Sequence, residues 1–92
     1  MELTFEWDEN KRQRNIRDHG IDFEDAKEVW QGLVFETPSP QKHHGEERFL
    51  AVGESQGRII TVVFTWRGIN RRIISARVAR RNERENYQKE IR

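Results

Sequence analysis

The chain has 92 residues, 34% of them hydrophobic and 36% charged, with no cysteine and a formal net charge of +1. That length predicts a single domain over residues 1–92, which buries only roughly 60–65% of its unfolded surface and so has a thin core. The lack of cysteine excludes disulfides and thiolate metal sites and fits a reducing cytoplasm, while no apolar run approaches the ~20 residues of a membrane span and the acidic start (Glu2, Glu6, Asp8) is unlike a signal peptide.

Leu3 to Trp7 alternates apolar and polar residues and reads as a short first strand. Asp8 is placed to cap a helix, with Glu9 complementing the dipole in its first turn. This helix runs to His19, carries Lys11, Arg12, Arg14 and Arg17, and stops at Gly20, where a left-handed residue is expected. A second helix starts at once from Asp22. Its stripe of Phe23, Ala26, Val29 and Trp30 faces the core, and Gly32 ends it.

Leu33 to Thr37 forms a second strand stopped by Pro38 and Pro40. A loop carrying His43 and His44 leads to a third strand, Arg48 to Glu54, and to the turn Ser55-Gln56-Gly57. Two β-branched runs, Ile59–Phe64 and Ile73–Val78, then flank Gly68-Ile69-Asn70 as a hairpin. Ala79, Glu83, Tyr87 and Ile91 fall four apart and mark a C-terminal helix. The expected order is β-α-α-β-β-β-β-α, an α+β fold with the helices packed on one side of an antiparallel sheet.

Charge separates along this order. Residues 1–54 hold seven Lys/Arg against thirteen Asp/Glu, and residues 55–92 hold ten against three, so the halves are expected to present an acidic and a basic face. Seven arginines and a single acid, Glu83, lie between Arg67 and Arg84. Arginine grips phosphate bidentately and keeps its charge, so the hairpin is either a polyanion surface or a solvated element. His43 and His44 invite a metal, but no third ligand stands at a suitable spacing, so no metal is expected. His19 either complements a helix terminus or acts as a base or phosphate contact. Glu46-Glu47-Arg48 reads as paired acid chemistry or as a salt bridge at a sheet edge. No Ser-His-Asp order, glycine-rich phosphate loop or Cys-His pair is present, which leaves arginine, histidine, hydroxyl and carboxylate chemistry without a cofactor.

Phe5-Glu-Trp-Asp8, Lys11, Asn15, His19-Gly20, Phe23, Ala26 and Val29 resemble the opening of the BrnT toxins. The resemblance continues through Glu46-Glu-Arg48, Gly53, Val62-Val-Phe-Thr65, Arg67-Gly68, Ile73-Ile-Ser-Ala-Arg77, Ala79, Glu83 and Tyr87. It implies a RelE-like fold and a ribonuclease toxin of a type II toxin–antitoxin pair. Such a toxin cleaves RNA, inhibits translation and is neutralised by a BrnA-like antitoxin, through which alone the complex contacts operator DNA. Two departures stand out. Trp66 occupies a position where many relatives carry an acid, and offers a base-stacking surface or core; Asp18 precedes His19 where lysine is common.

Metal-independent cleavage requires a deprotonated 2′-hydroxyl, a stabilised phosphorane and an assisted leaving group. Arg67 and Arg77 match the family's basic positions and are expected to clamp the scissile phosphate. Thr65, two residues before Arg67 on one strand face, is expected to donate to a phosphate oxygen. His19 and Tyr87 are the candidate bases, with Glu47 or a water-mediated route left open. Lys11, Arg48, Trp66, Arg72, Arg80 and Arg81 are expected to bind the RNA. The alternative is a non-catalytic module binding nucleic acid or a partner on the same fold. Hairpin register bears on both readings: a two-residue turn sets Thr65 opposite Arg72, and a three-residue turn sets Thr65 opposite Ile73 and Arg77 opposite Thr61.

Overall fold

Capping chemistry shapes the first third of the chain in the computed structural model, which describes residues 2–41 and 44–91. Asp8 is extended, and its carboxylate accepts the N–H groups of Asn10 (2.8 Å) and Lys11 (3.2 Å), opening α1 (Glu9–His19). Those two donors hold the Asp8 carboxyl below its usual range. Gly20 closes α1 at φ 68, in the left-handed region that glycine reaches without strain. Asp22 then caps α2 (Phe23–Ala26), which tightens into a 3-10 segment (Lys27–Trp30) instead of continuing as one α-helix. The reason lies in the spacing. Phe23, Ala26 and Val29 recur every three residues, the period of a 3-10 helix, and all three are fully buried.

The strands are β1 (Phe5–Glu6), β2 (Val34–Pro38), β3 (Phe49–Ser55), β4 (Arg58–Arg67) and β5 (Asn70–Val78), followed by α3 (Arg81–Ile91). They form one sheet in the order β1-β5-β4-β3-β2. The four consecutive strands β2 to β5 pair antiparallel, as expected for most of the sheet, and β1 departs from the antiparallel pattern by pairing with β5 in parallel. A strand separated from its neighbour by the rest of the fold has no hairpin to fix its direction. Gln56 and Gly57 both have positive φ, as a two-residue hairpin turn between β3 and β4 requires.

The β4–β5 hairpin combines both registers that the sequence leaves open. Its turn is the two-residue Gly68-Ile69, with Arg67 opposite Asn70 and Thr65 opposite Arg72. Farther from the turn, Phe64 lies opposite Ile73 but Val63 lies opposite Ser75, so Ile74 is an extra residue, a β-bulge. Beyond it Thr61 pairs with Arg77.

Ile60, Val62, Phe64, Ala51, Ile73 and Ala76 pack with Ile21, Phe23, Ala26 and Val29 in the core cluster. Val29 sits so close to β3 that a Cβ on Gly53 would fall 2.8 Å from its own Cβ, so only glycine fits there. Alternation sends Thr61 and Val63 to the other face, where α3 docks through a hydrogen bond from Thr61 to Glu83. The helices therefore do not share one side of the sheet. α3 carries four-residue spacing of Ala79, Glu83 and Tyr87 around a carboxylate, and it is held to its face by that polar group and by the Tyr87 hydroxyl donating to Leu33 O at 3.0 Å.

Asn15 ties α1 to the edge of β5. Its amide donates to Ile21 O (2.8 Å) and Ala76 O (2.9 Å) and accepts from Ala76 N (3.1 Å), while the residue is only 5% exposed. One side chain thus replaces a neighbouring strand at Ala76. Asn15→Ala strands those three backbone groups, and we expect a loss of about 2–3 kcal/mol in denaturant unfolding. An unfolding midpoint equal to that of the unsubstituted protein would contradict this role.

Candidate functional site

The face that carries α3 is only partly covered. A groove of about 540 Å³ remains between the sheet and the start of the helix. Its floor is apolar, from Phe35, Leu50, Val52, Val63 and Ile74, and its rim carries Arg48, Arg77 and Arg80. Asn82, Glu83 and Asn86 supply the helix wall. Without the bulge at Ile74, alternation would carry Arg77 to the core face; with it, Arg77 shares the groove face with Thr61.

Glu83 organises the rim. Its carboxylate accepts Arg77 Nη1 (2.6 Å) and Nη2 (2.9 Å), the Thr61 hydroxyl (2.9 Å) and the Arg80 backbone N–H (2.8 Å). The last contact is half of a capping box, satisfying a donor at the helix start. Arg77 above all, followed by those two further donors, lowers the Glu83 carboxyl to about 2 despite its burial. Arg67 and Arg72 are held in the same manner. Arg67 Nη1 meets Glu46 at 2.6 Å and Arg72 Nη1 meets Glu6 at 2.8 Å. Carboxylates of the acidic half therefore neutralise guanidiniums of the basic half, and the two do not segregate into opposed faces.

Several expected site residues lie elsewhere. Thr65 is 4% exposed and its hydroxyl donates to Glu47 O at 2.7 Å, so its proton is committed to a backbone carbonyl and not offered to a phosphate. Trp66 lies on the core-side face, against Phe64 and with the Arg71 guanidinium 4.5 Å from its ring centroid. Arg71 also stacks on Trp30 and Phe64 and approaches Glu36 at 3.9 Å. The sheet therefore separates Trp66 from the groove. Arg48 approaches Glu46 at 3.6 Å, the salt-bridge arrangement at the sheet edge. Tyr87 is committed to Leu33 O, and Arg81 pairs with Glu85 at 3.4 Å on the exposed side of α3. His43 lies outside the described residues, and among those described no three His, Asp or Glu side chains converge as a metal site.

His19 and Lys11 sit at a second, smaller cleft of about 210 Å³ between α1 and β5. Arg14, Asn15 and Asp18 complete its helix side, and Ile74 and Ser75 form its sheet side. Those two bulge residues also line the groove, so groove and cleft meet over the bulge. Arg14 and Ser75 were not singled out from sequence. The three-residue spacing from Lys11 to Arg14 is a signal that could have found the first; nothing short of the register could have found the second.

Linkage makes the Glu83 cluster testable. A carboxyl lowered from 4.5 to about 2 on folding contributes stability that is fully present above about pH 4.5 and is lost as pH falls toward 2. The shift corresponds to roughly 3 kcal/mol. Glu83→Gln should remove most of it at neutral pH and flatten the acid limb of the stability curve. An unchanged acid limb in this variant, measured by denaturant titration across pH, would contradict the assignment.

Residues 7–83 match the family described as the ribonuclease toxin, BrnT, of type II toxin–antitoxin systems. Among curated proteins no sequence matches. The crystal structure of the Brucella abortus ribonuclease toxin BrnT is similar at a TM-score of 0.63 and 37% identity, covering 87% of this chain and 100% of that one. The family match runs from the Trp7-Asp8 cap through the bulged hairpin to Glu83 on α3, and the chain belongs to the BrnT family of type II ribonuclease toxins.

Proposed function

We propose that the chain is a metal-independent endoribonuclease whose RNA substrate lies in the groove between the sheet and α3. The observation that carries this reading is an apolar floor rimmed by Arg48, Arg77 and Arg80, the combination that takes a base and its phosphates together. Arg77 spends two of its N–H donors on Glu83, which fixes the guanidinium at the rim before substrate arrives. Arg80 has no side-chain partner among the described residues and is free to pair with a phosphate oxygen. Arg67 stands at the end of the same face, positioned by Glu46. Thr65 acts indirectly in this account, holding the Glu47 backbone so that Glu46 meets Arg67.

Glu83 is too acidic to take a proton from a 2′-hydroxyl, since a carboxyl near 2 is far from the operating pH. His19, in the cleft that joins the groove over Ser75, is the proton acceptor we assign. The 2′-oxygen then attacks the adjacent phosphorus, the P–O5′ bond breaks, the 5′-oxygen takes a proton from solvent water, and a 2′,3′-cyclic phosphate remains. Membership of the family supports the rest of this reading: a RelE-like fold, action in the cytoplasm by inhibiting translation, and a BrnA-like antitoxin that lays an acidic amphipathic segment over the same groove and supplies the operator-DNA contacts. The pairing of Arg67, Arg72 and Arg77 with carboxylates favours a second reading, a binding module without catalysis, and one assay separates the two.

Purified protein should cleave labelled RNA in EDTA and leave cyclic or 3′-phosphate ends. His19→Ala should lower kcat by about 10²–10⁴-fold. Arg77→Lys keeps a charge beside Glu83 but loses the bidentate fork, and we expect about a 10²-fold loss. Activity that disappears on chelation and returns with magnesium contradicts the metal-free route; RNA binding without any cleavage selects the binding module.

A further inference from the structure

We propose that the cleft between α1 and the edge of β5 is a second phosphate subsite, through which the RNA strand continues after crossing the bulge. The inference rests on the ribonuclease reading of the groove and extends it to residues outside that groove. Three observations carry it.

The first is a gap in the cover of β5. β1 pairs only with Arg71 and Arg72, and Asn15 occupies the edge again at Ala76. Between them lie Ile73, Ile74 and Ser75, and the cleft opens at this interval. The second is continuity. Ile74 and Ser75 line both depressions, so a strand that crosses Ser75 from the groove reaches the cleft next.

The third is the state of the cations. Arg67, Arg72 and Arg77 already hold carboxylates, and a phosphate must share or displace these. Lys11 and Arg14 are exposed, and among the described residues neither side chain forms an ion pair or a hydrogen bond. Successive positions of one helix face deliver them to the same cleft. Two cations outside any described ion pair give up no salt bridge when a phosphate arrives, and they release its counterions. Asp18 is the one acid in the cleft, and it is engaged by Arg17 at 3.5 Å.

The test uses single-stranded 2′-O-methyl RNA, which lacks the attacking hydroxyl, as a dinucleotide and as a longer mixed-sequence strand. Affinities are measured by fluorescence anisotropy over a salt series. For the longer strand, Lys11→Ala/Arg14→Ala should weaken binding and reduce the slope of log K against log salt by about 0.7 per lost cation. Dinucleotide affinity should fall by less than that of the longer strand, because most of its contacts lie in the groove and at the ridge over Ser75. Arg58→Ala, which removes an exposed cation with no side-chain partner among the described residues from the far end of β4, controls for net charge and should leave the slope unchanged. Unsubstituted protein that binds and cleaves while the double variant keeps its slope and affinity overturns the subsite but leaves the ribonuclease reading intact. Equal effects from Arg58→Ala overturn it as diffuse electrostatics. Unchanged RNA affinity with weakened antitoxin binding reassigns the cleft to the protein partner. Failure of the unsubstituted protein to bind or cleave any RNA removes both proposals.

Discussion

A single extra residue governs the placement of charge in this molecule. In a regular strand Arg72 and Arg77, five positions apart, would point to opposite faces of the sheet. Ile74 has no partner on β4, so the alternation of β5 is reset between them and both arginines reach the face opposite the main core. Thr61, Thr65 and Arg67 occupy that same face on β4. α3 can dock there only because Glu83 meets both Arg77 and Thr61. The bulge also creates the ridge at Ile74 and Ser75 where groove and cleft meet.

A second constraint is electrostatic neutrality within a thin core. Among the described residues only twelve hydrophobic side chains are buried, and crowding cations onto one sheet carries a large self-repulsion. Carboxylates offset this from three places: Glu6 on β1 and Glu46 before β3, from the acidic half, and Glu83 from within the basic half itself. Arg71, the one sheet arginine of this group on the core side, is held by three aromatic rings instead. The result is a division of roles. Arg67, Arg71, Arg72 and Arg77 are fixed by partners and present ordered groups, while Arg80, Lys11 and Arg14 keep charge available to a ligand.

Much of this was legible in the sequence because it depends on local chemistry. Asp8, Gly20 and Asp22 announce their caps, and the hairpin runs announce β4 and β5. The order of the elements follows from periodicity alone. What escaped depends on non-local choices. The three-residue spacing of Phe23, Ala26 and Val29 reads as an α-helical stripe until packing on Gly53 selects the tighter helix. The direction of β1 is decided at β5, which comes more than sixty residues later. Thr65 and Trp66 look like site residues on chemical type, yet the register hands one to Glu47 and the other to Arg71. The motif residues Arg67 and Arg77 do share one sheet face, but their carboxylate partners were visible only once the strands were assembled.

RNA bound as proposed lies on the bulge side of the sheet, and amide NMR of the folded protein titrated with non-cleavable RNA locates it. Shifts are expected at Arg48, Ser75, Arg77 and Arg80, with the Trp66 indole and the hairpin tip at Ile69 unmoved. Shifts confined to Trp66, Ile69 and Leu3, with the groove silent, would contradict that placement.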